Sequence, residues 1–366
     1  MDIRETVAGI GLIDNHAHPV APLRGETIRS SFARYFTEGD LSMADARHTL
    51  NYRAALALLA ERFDGEREDE LLAQRADVDL ESYSRTLIEE TDTDAILVDD
   101  GYPDTSPAEF RAYTTAEIHP LLRIEPVAER LIDEHDGFAA FEEAFEDAID
   151  GALADGYVGL KTIVAYRSGL DIGAPARSAA SAAFAAARTD WDGRLTDARL
   201  LEYLVHRACT LAGERGVPIQ FHTGFGDPDA HPRRVAPALL ADVITSHPST
   251  DIVMLHAGYP HVREAGYVTS TYENAYLDLS LAIPFVQHGC ERVIESALEL
   301  APTTKVLYGS DACWVPERYV LAERRTRASL ASVLERLVAN DFIDEDYAVT
   351  VARNVLRGNA ERLYGL

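Results

Sequence analysis

Gly11-Leu12-Ile13-Asp14-Asn15-His16-Ala17-His18-Pro19 is an apolar run that gives way to two histidines one residue apart. In a strand, residues i and i+2 point to the same face, so both imidazoles can reach one ion. Pro19 lacks the N–H that would continue a ladder and places the pair at the strand's end. A lone His-x-His carries little weight, and what gives this one meaning is the order of residues behind later apolar runs.

Eight short apolar or β-branched runs recur along the chain with helical segments between them: 11–18, 94–100, 121–127, 157–166, 218–223, 251–257, 274–280 and 305–311. This alternation is the sign of βαβ units around a parallel sheet. Eight such units predict a (β/α)8 TIM barrel, whose active site lies at the C-terminal strand ends. A doubly wound sheet would need a Gly-rich phosphate turn after its first strand, and none is present. The spacing predicts one barrel domain over residues 1–366. A helical insertion over about 20–93 follows strand 1, periodic in 44–63 and 68–87, and should cover the catalytic face. A second helical extension after strand 4, about 168–216, holds the Ala-rich stretch 178–188 and a helix over 196–215, while 345–366 reads as the last barrel helix plus a short closing one.

Polar groups stand at or near the ends of these runs. His222 in Ile219-Gln220-Phe221-His222-Thr223-Gly224 reads as a third imidazole ligand. His256 closes Ile252-Val253-Met254-Leu255 and can bind a second ion or act on substrate as acid, base or electrophile. Asp311, after Val306-Leu307-Tyr308-Gly309-Ser310, can both ligate an ion and accept a proton from water. Lys161 lies inside the apolar run Val158-Gly159-Leu160-Lys161-Thr162-Ile163-Val164, in a chain whose only other lysine is Lys305. Two readings stay open for it: a carbamylated lysine bridging two ions, or an ammonium inside the barrel that pairs with an aspartate or orients substrate. Tyr166 and Arg167 after strand 4, and Arg263 and Glu264 after strand 6, are candidate substrate-binding residues. Either arginine can grip a carboxylate in bidentate fashion.

These residues resemble the amidohydrolase superfamily, in its amidohydrolase-2 branch. The resemblance rests on Ile13–Pro19, Gly159–Ile163 with Ala165–Leu170, Gln220–Gly224, His256 with Arg263–Gly266, Tyr276–Asp278 and Ser310–Ala312. The combination looks most like the nodulin-type amidohydrolase domain that in fungal and plant relatives is fused to a glutamine-synthetase-like domain. The resemblance implies a metal-dependent enzyme with His16, His18, His222 and Asp311 at the ion and His256 beside the substrate. The expected reaction is hydrolysis of an amide or amidine-like C–N bond in a small anionic substrate, with Asp311 and His256 as catalytic groups. The alternatives are a non-oxidative decarboxylase of a small carboxylic acid, or a regulatory partner of a separate glutamine-synthetase-like protein. Zinc suits imidazole and carboxylate ligands, with one ion favoured over two, and manganese and iron are also compatible. A homo-oligomer is a family-level expectation.

Composition narrows the remaining classes. At 366 residues and 47% apolar the chain can bury a large core. The net charge of −27, spread along the chain, argues against a nucleic-acid or anionic-membrane binder. No run of 18 apolar residues occurs and the first residues lack a signal-peptide pattern, so a cytoplasmic protein is expected. Cys209, Cys290 and Cys313 are odd in number and widely spaced, which argues for buried small side chains and against disulfides. An acid excess with almost no lysine fits a halophilic protein that stays soluble in concentrated intracellular salt.

Overall fold

The computed structural model describes residues 2–189 and 191–366. Among these, eight parallel strands follow one another in sheet order: β1 Leu12–Ala17, β2 Thr93–Asp99, β3 Glu117–Arg123, β4 Gly159–Thr162, β5 Ile219–Phe221, β6 Ile252–Met254, β7 Ala275–Asp278 and β8 Val306–Leu307. The segment after β8 returns to β1 through Asp311 N to His16 O (2.8 Å) and His18 N to Ala312 O (2.8 Å), and Asn15 N reaches Tyr308 O (3.0 Å). The sheet thereby curls into the expected TIM barrel.

Seven of the eight runs coincide with a strand; the exception is the third. β3 begins at Glu117, four residues before the predicted 121, and the helix Ile124–Glu134 starts where the strand was expected to continue. Leu121 and Leu122 are strand, but the apolar residues just beyond them belong to the amphipathic helix, whose buried face includes Ile124, Ala128, Leu131 and Ile132.

β1 carries an irregularity that decides where the histidines point. Opposite β2, Asp14 pairs with Ile96 and Ala17 with Val98, so three steps on β1 face two on β2. Ile13 lies in the barrel interior with Leu97, Leu121, Val253 and Leu307, and strict alternation from it would turn His16 outward. The bulge restores the inward direction: Ala17 packs outside with Ile96 and Val98, leaving His16 and His18 inside. At the other end of the barrel the last helix, Asn359–Tyr364, packs beneath the strands. Tyr364 accepts a hydrogen bond from Gln220 Nε2 at 2.8 Å. A Cβ on Gly159, the first residue of β4, would sit 3.4 Å from the Tyr364 ring.

The insertion between β1 and β2 is helical, as expected, but each predicted long helix is broken. Met43–Ala46 and Leu50–Ala60 are separated by a turn, with Thr49 capping the second through Tyr52 N. Glu68–Ala76 and Leu80–Glu89 are separated likewise, and Asp79 caps the latter through Ser82 N. The insertion has its own apolar cluster of Phe32, Phe36, Tyr52, Leu58 and Leu59, joined to the barrel by Val315 and Val320. After β4 the helices Arg177–Thr189 and Ala198–Arg215 match the predicted pair. The helix following β8 is Glu317–Ala339, upstream of the segment read as the last barrel helix; 345–366 instead forms the helix Glu345–Arg353, a π-helical turn Asn354–Gly358 and the helix Asn359–Tyr364 that plugs the lower end of the barrel. All three cysteines are free and buried. Among the described residues no helix is long and apolar enough to cross a membrane.

Candidate metal centre

The strand ends open into a cavity of about 590 Å³. His16, His18, Asp99, Arg123, Lys161, His222, His256 and Asp311 line its floor, while Arg34, Tyr35, Thr37, Glu38, Gly39 and Asp40 from the insertion reach its wall. The insertion therefore contributes to the cover over the barrel mouth.

His16 Nε2 and His18 Nε2 converge on Asp311 Oδ1, at 3.1 Å and 3.4 Å. His18 Nδ1 lies 2.9 Å from the Tyr102 carbonyl, which fixes the tautomer that leaves Nε2 its lone pair. Burial, reinforced by the Lys161 charge, pushes the His16 imidazole down to about 4, so it is neutral near pH 7. Burial tends to raise the Asp311 carboxyl, but His256, His16 and His18 outweigh it and hold it well below the usual range. A neutral His16 imidazole and an ionised Asp311 carboxylate, with ligand atoms aimed at one space, are in the protonation states a divalent ion requires. The residues present thus fit such an ion, and among the described residues two groupings have ligand atoms within 4.8 Å of one another: His16, His256 and Asp311; and His16, His18 and Asp99.

His222, read as a third imidazole ligand, makes two contacts of its own. Its Nδ1 faces His256 Nε2 at 3.0 Å and its Nε2 lies 3.1 Å from the Phe225 carbonyl. Both ring nitrogens are occupied, although the ring lines the cavity floor. His256 is set by Asp278: the carboxylate accepts from His256 N (3.2 Å) and from the Ser280 hydroxyl, and Ser280 Oγ in turn lies 2.9 Å from His256 Nδ1. Burial, followed by repulsion from Lys161 or the neighbouring histidines, depresses both imidazoles well below 6.5.

Lys161 Nζ stands 3.3 Å from His16 Nε2 and 3.9 Å from Asp99 Oδ2. Burial lowers it to about 8 against the opposing pull of Asp99. Asp99 is gripped by Arg123 in two parallel bonds, Nε to Oδ1 at 2.9 Å and Nη2 to Oδ2 at 2.6 Å. Neither Asp99 nor Arg123 was singled out from the sequence, although each closes an apolar strand as His222 and His256 do.

Tyr166 and Arg167 both line the cavity. The Tyr166 ring lies 4.2 Å from that of His222, and Arg167 pairs with Glu129 at 3.2 Å. Arg263 and Glu264 are not gathered with the histidines. They lie on the helix Val262–Thr271, whose buried positions are Val262, Ala265, Gly266, Val268 and Thr269, and so face outward. Arg263 pairs with Glu299 at 2.7 Å and Glu264 with His261 at 3.5 Å, beside a separate cavity of about 970 Å³.

The sequence and the fold have counterparts among known proteins. A crystal structure from Lactobacillus casei, given the provisional description of a metal-dependent hydrolase, is 30% identical, with all of this chain and 97% of that one aligned and a TM-score of 0.92. Protein fluG of Emericella nidulans is 29% identical over the full chain, which spans 47% of that protein's length. A uronate isomerase of Thermotoga maritima shares the fold at 12% identity, with a TM-score of 0.72 and 99% and 96% of the two chains covered. Over residues 13–366 the sequence matches the amidohydrolase family, from the strand that bears His16 and His18 to the helix that plugs the barrel. The chain belongs to the amidohydrolase family.

Proposed function

We propose that this protein is a metal-dependent hydrolase that cleaves a C–N bond, of amide or amidine type, in a small anionic substrate. The observation that carries this reading is the convergence of His16 Nε2 and His18 Nε2 on Asp311 Oδ1 inside the cavity. We assign His16, His18 and Asp311 as the principal ligands. His222 joins them only by releasing the Phe225 carbonyl or His256. Zinc, as one ion per chain, best suits imidazole and carboxylate donors, and manganese or iron would be held by the same atoms.

A divalent ion bound there supplies a Lewis acid and lowers the pKa of water towards neutrality. Asp311, held anionic, accepts a proton from the attacking water and returns it to the departing nitrogen, so that a C–O bond forms as the C–N bond breaks. Lys161, on the cavity floor, is placed to donate to the oxygen that gains charge at the reacting carbon, and His256 joins it only by releasing His222. Arg167, at the cavity wall and only partly neutralised by Glu129, is the group for a substrate carboxylate.

The test is chelation followed by readdition of one ion at a time, assayed on amides and amidines that bear a carboxylate. Hydrolysis lost on chelation and restored by one equivalent of ion supports the reading. Release of carbon dioxide without consumption of water would replace hydrolysis by decarboxylation, and activity indifferent to chelation would overturn both. A separate glutamine-synthetase-like partner is tested by co-purification from the native source, and self-association by sedimentation.

A further inference from the structure

Asp311 is held in an unfavourable backbone conformation. Its φ is +49°, in the left-handed region that residues with a Cβ rarely adopt. Something must over-determine that geometry, and both backbone groups of the residue are pinned. The N–H donates to His16 O on β1 at 2.8 Å, and the carbonyl accepts from Arg318 Nη2 at 2.9 Å. The same Arg318 nitrogen lies 3.7 Å from Asp311 Oδ2, on the side of the carboxylate away from the histidines, while Oδ1 faces His16 and His18.

Arg318 is itself immobilised. It is buried, stacks its guanidinium over Phe285 at 5.1 Å, and follows Glu317 at the start of the helix Glu317–Ala339. Glu317 is fully buried and bonded twice by Arg75, while the Tyr83 hydroxyl donates to it at 3.0 Å. Arg75 and Tyr83 come from two helices of the insertion, Glu68–Ala76 and Leu80–Glu89. A third residue of the insertion, Glu38, lies 3.8 Å from Arg318.

We propose that Arg318 is a positioning residue for the metal site, which fixes the left-handed turn at Asp311 and selects Oδ1 as the oxygen shown to the imidazole pair. The insertion, through Arg75 and Tyr83 on Glu317, anchors the helix end that carries Arg318. The insertion is thus part of the support of an ion ligand as well as a cover over the cavity. This inference rests on the reading of Asp311 as an ion ligand.

The sign of one effect makes the test sharp. Removing a cation 3.7 Å from a ligand oxygen should by charge alone tighten the binding of a divalent ion. Lost positioning should weaken it, by roughly 10- to 100-fold where an outer partner of a metal ligand is removed. The experiment titrates Co²⁺ into the chelated full-length chain, reading the dissociation constant and the visible d–d bands, for wild type, Arg318→Met and Arg318→Lys, with circular dichroism as the check on folding. The expected result is weaker binding and altered bands in Arg318→Met, with partial recovery in Arg318→Lys, which keeps a donor for the Asp311 carbonyl. If Arg318→Met does not fold, Arg318→Lys and Glu317→Gln are read in the same way, and weakened Co²⁺ binding with altered bands is expected in both. Folded variants that bind Co²⁺ with wild-type affinity and spectrum, or more tightly, overturn this inference alone. A wild-type chain that binds no Co²⁺ overturns the metal reading and this inference with it.

Discussion

Lys161 Nζ lies 3.3 Å from His16 Nε2, with both side chains buried. An ammonium beside the nitrogen that would face a divalent cation is electrostatically unfavourable, and the bound cation would depress the lysine below the value of about 8 that burial already gives it. Lys161→Met should therefore keep one ion per chain by elemental analysis, with affinity unchanged or tighter. Turnover should fall, by roughly 10²–10³-fold if the lysine donates to the developing oxyanion. Two ions in the wild type falling to one or none in Lys161→Met would instead make the lysine a bridging ligand.

Gly226 presses against the site from the β5 loop. A Cβ there would stand 2.1 Å from the Tyr166 hydroxyl and 2.9 Å from His222 Nε2. Forced overpacking of this kind costs about 1–3 kcal/mol. Gly226→Ala should lower the urea midpoint accordingly. Adding Tyr166→Phe, which removes the nearest atom but leaves the ring 2.9 Å away at its Cζ, should recover part of the loss. A double variant no more stable than Gly226→Ala would locate the clash elsewhere.

The barrel and most of its floor were legible in the sequence because both depend on local patterns. A parallel strand buried on both faces is a short apolar run, and a polar residue at its end has only the cavity to enter. That logic located His16, His18, Lys161, His222, His256 and Asp311, and applied to 94–100 and to 121 onward it would have found Asp99 and Arg123. It could not show that β1 needs a bulge between Asp14 and Ala17 to turn His16 inward, since register is a relation to β2. Nor could it show that His222 spends both nitrogens on His256 and the Phe225 carbonyl. Arg263 and Glu264, read as substrate-binding from their place after strand 6, lie on a helix away from the histidines. The apolar positions 262, 265, 266 and 268 already place 263 and 264 on the outer face of their helix.

A pH dependence away from the site follows from His206 and His247, whose Nδ1 and Nε2 lie 2.8 Å apart. One ring must donate and the other accept, so the contact requires at least one neutral imidazole. Burial, then repulsion by His206, lowers His247 from 6.5 to about 4, and burial also lowers His206. Between those values the unfolded chain binds more protons than the folded one, so stability falls as pH falls from about 6.5 to 4 and is fully present above that window. His247→Asn should make the urea midpoint less sensitive to acid between pH 7 and 5 than in the wild type. Equal slopes would show that the pair does not titrate as a unit.

The surface charge sets the response to salt. A net charge of −27 repels itself at low ionic strength, and screening over about 3 Å at 1 M removes most of that cost. Salt also weakens exposed ion pairs such as Arg215–Asp150, Arg263–Glu299 and Arg336–Glu291, but each contributes only about 0–1 kcal/mol. Repulsion summed over the whole surface should outweigh them, so the thermal midpoint should rise between 0.1 and 2 M KCl. An excluded but uncharged osmolyte such as sucrose separates screening from general stabilisation. If KCl acts through charge, the rise should be steepest at low concentration and should shrink in variants that replace exposed acids by neutral residues. A midpoint that falls with KCl, or rises no more than an osmolyte makes it rise, would leave the acid excess without a role in salt tolerance.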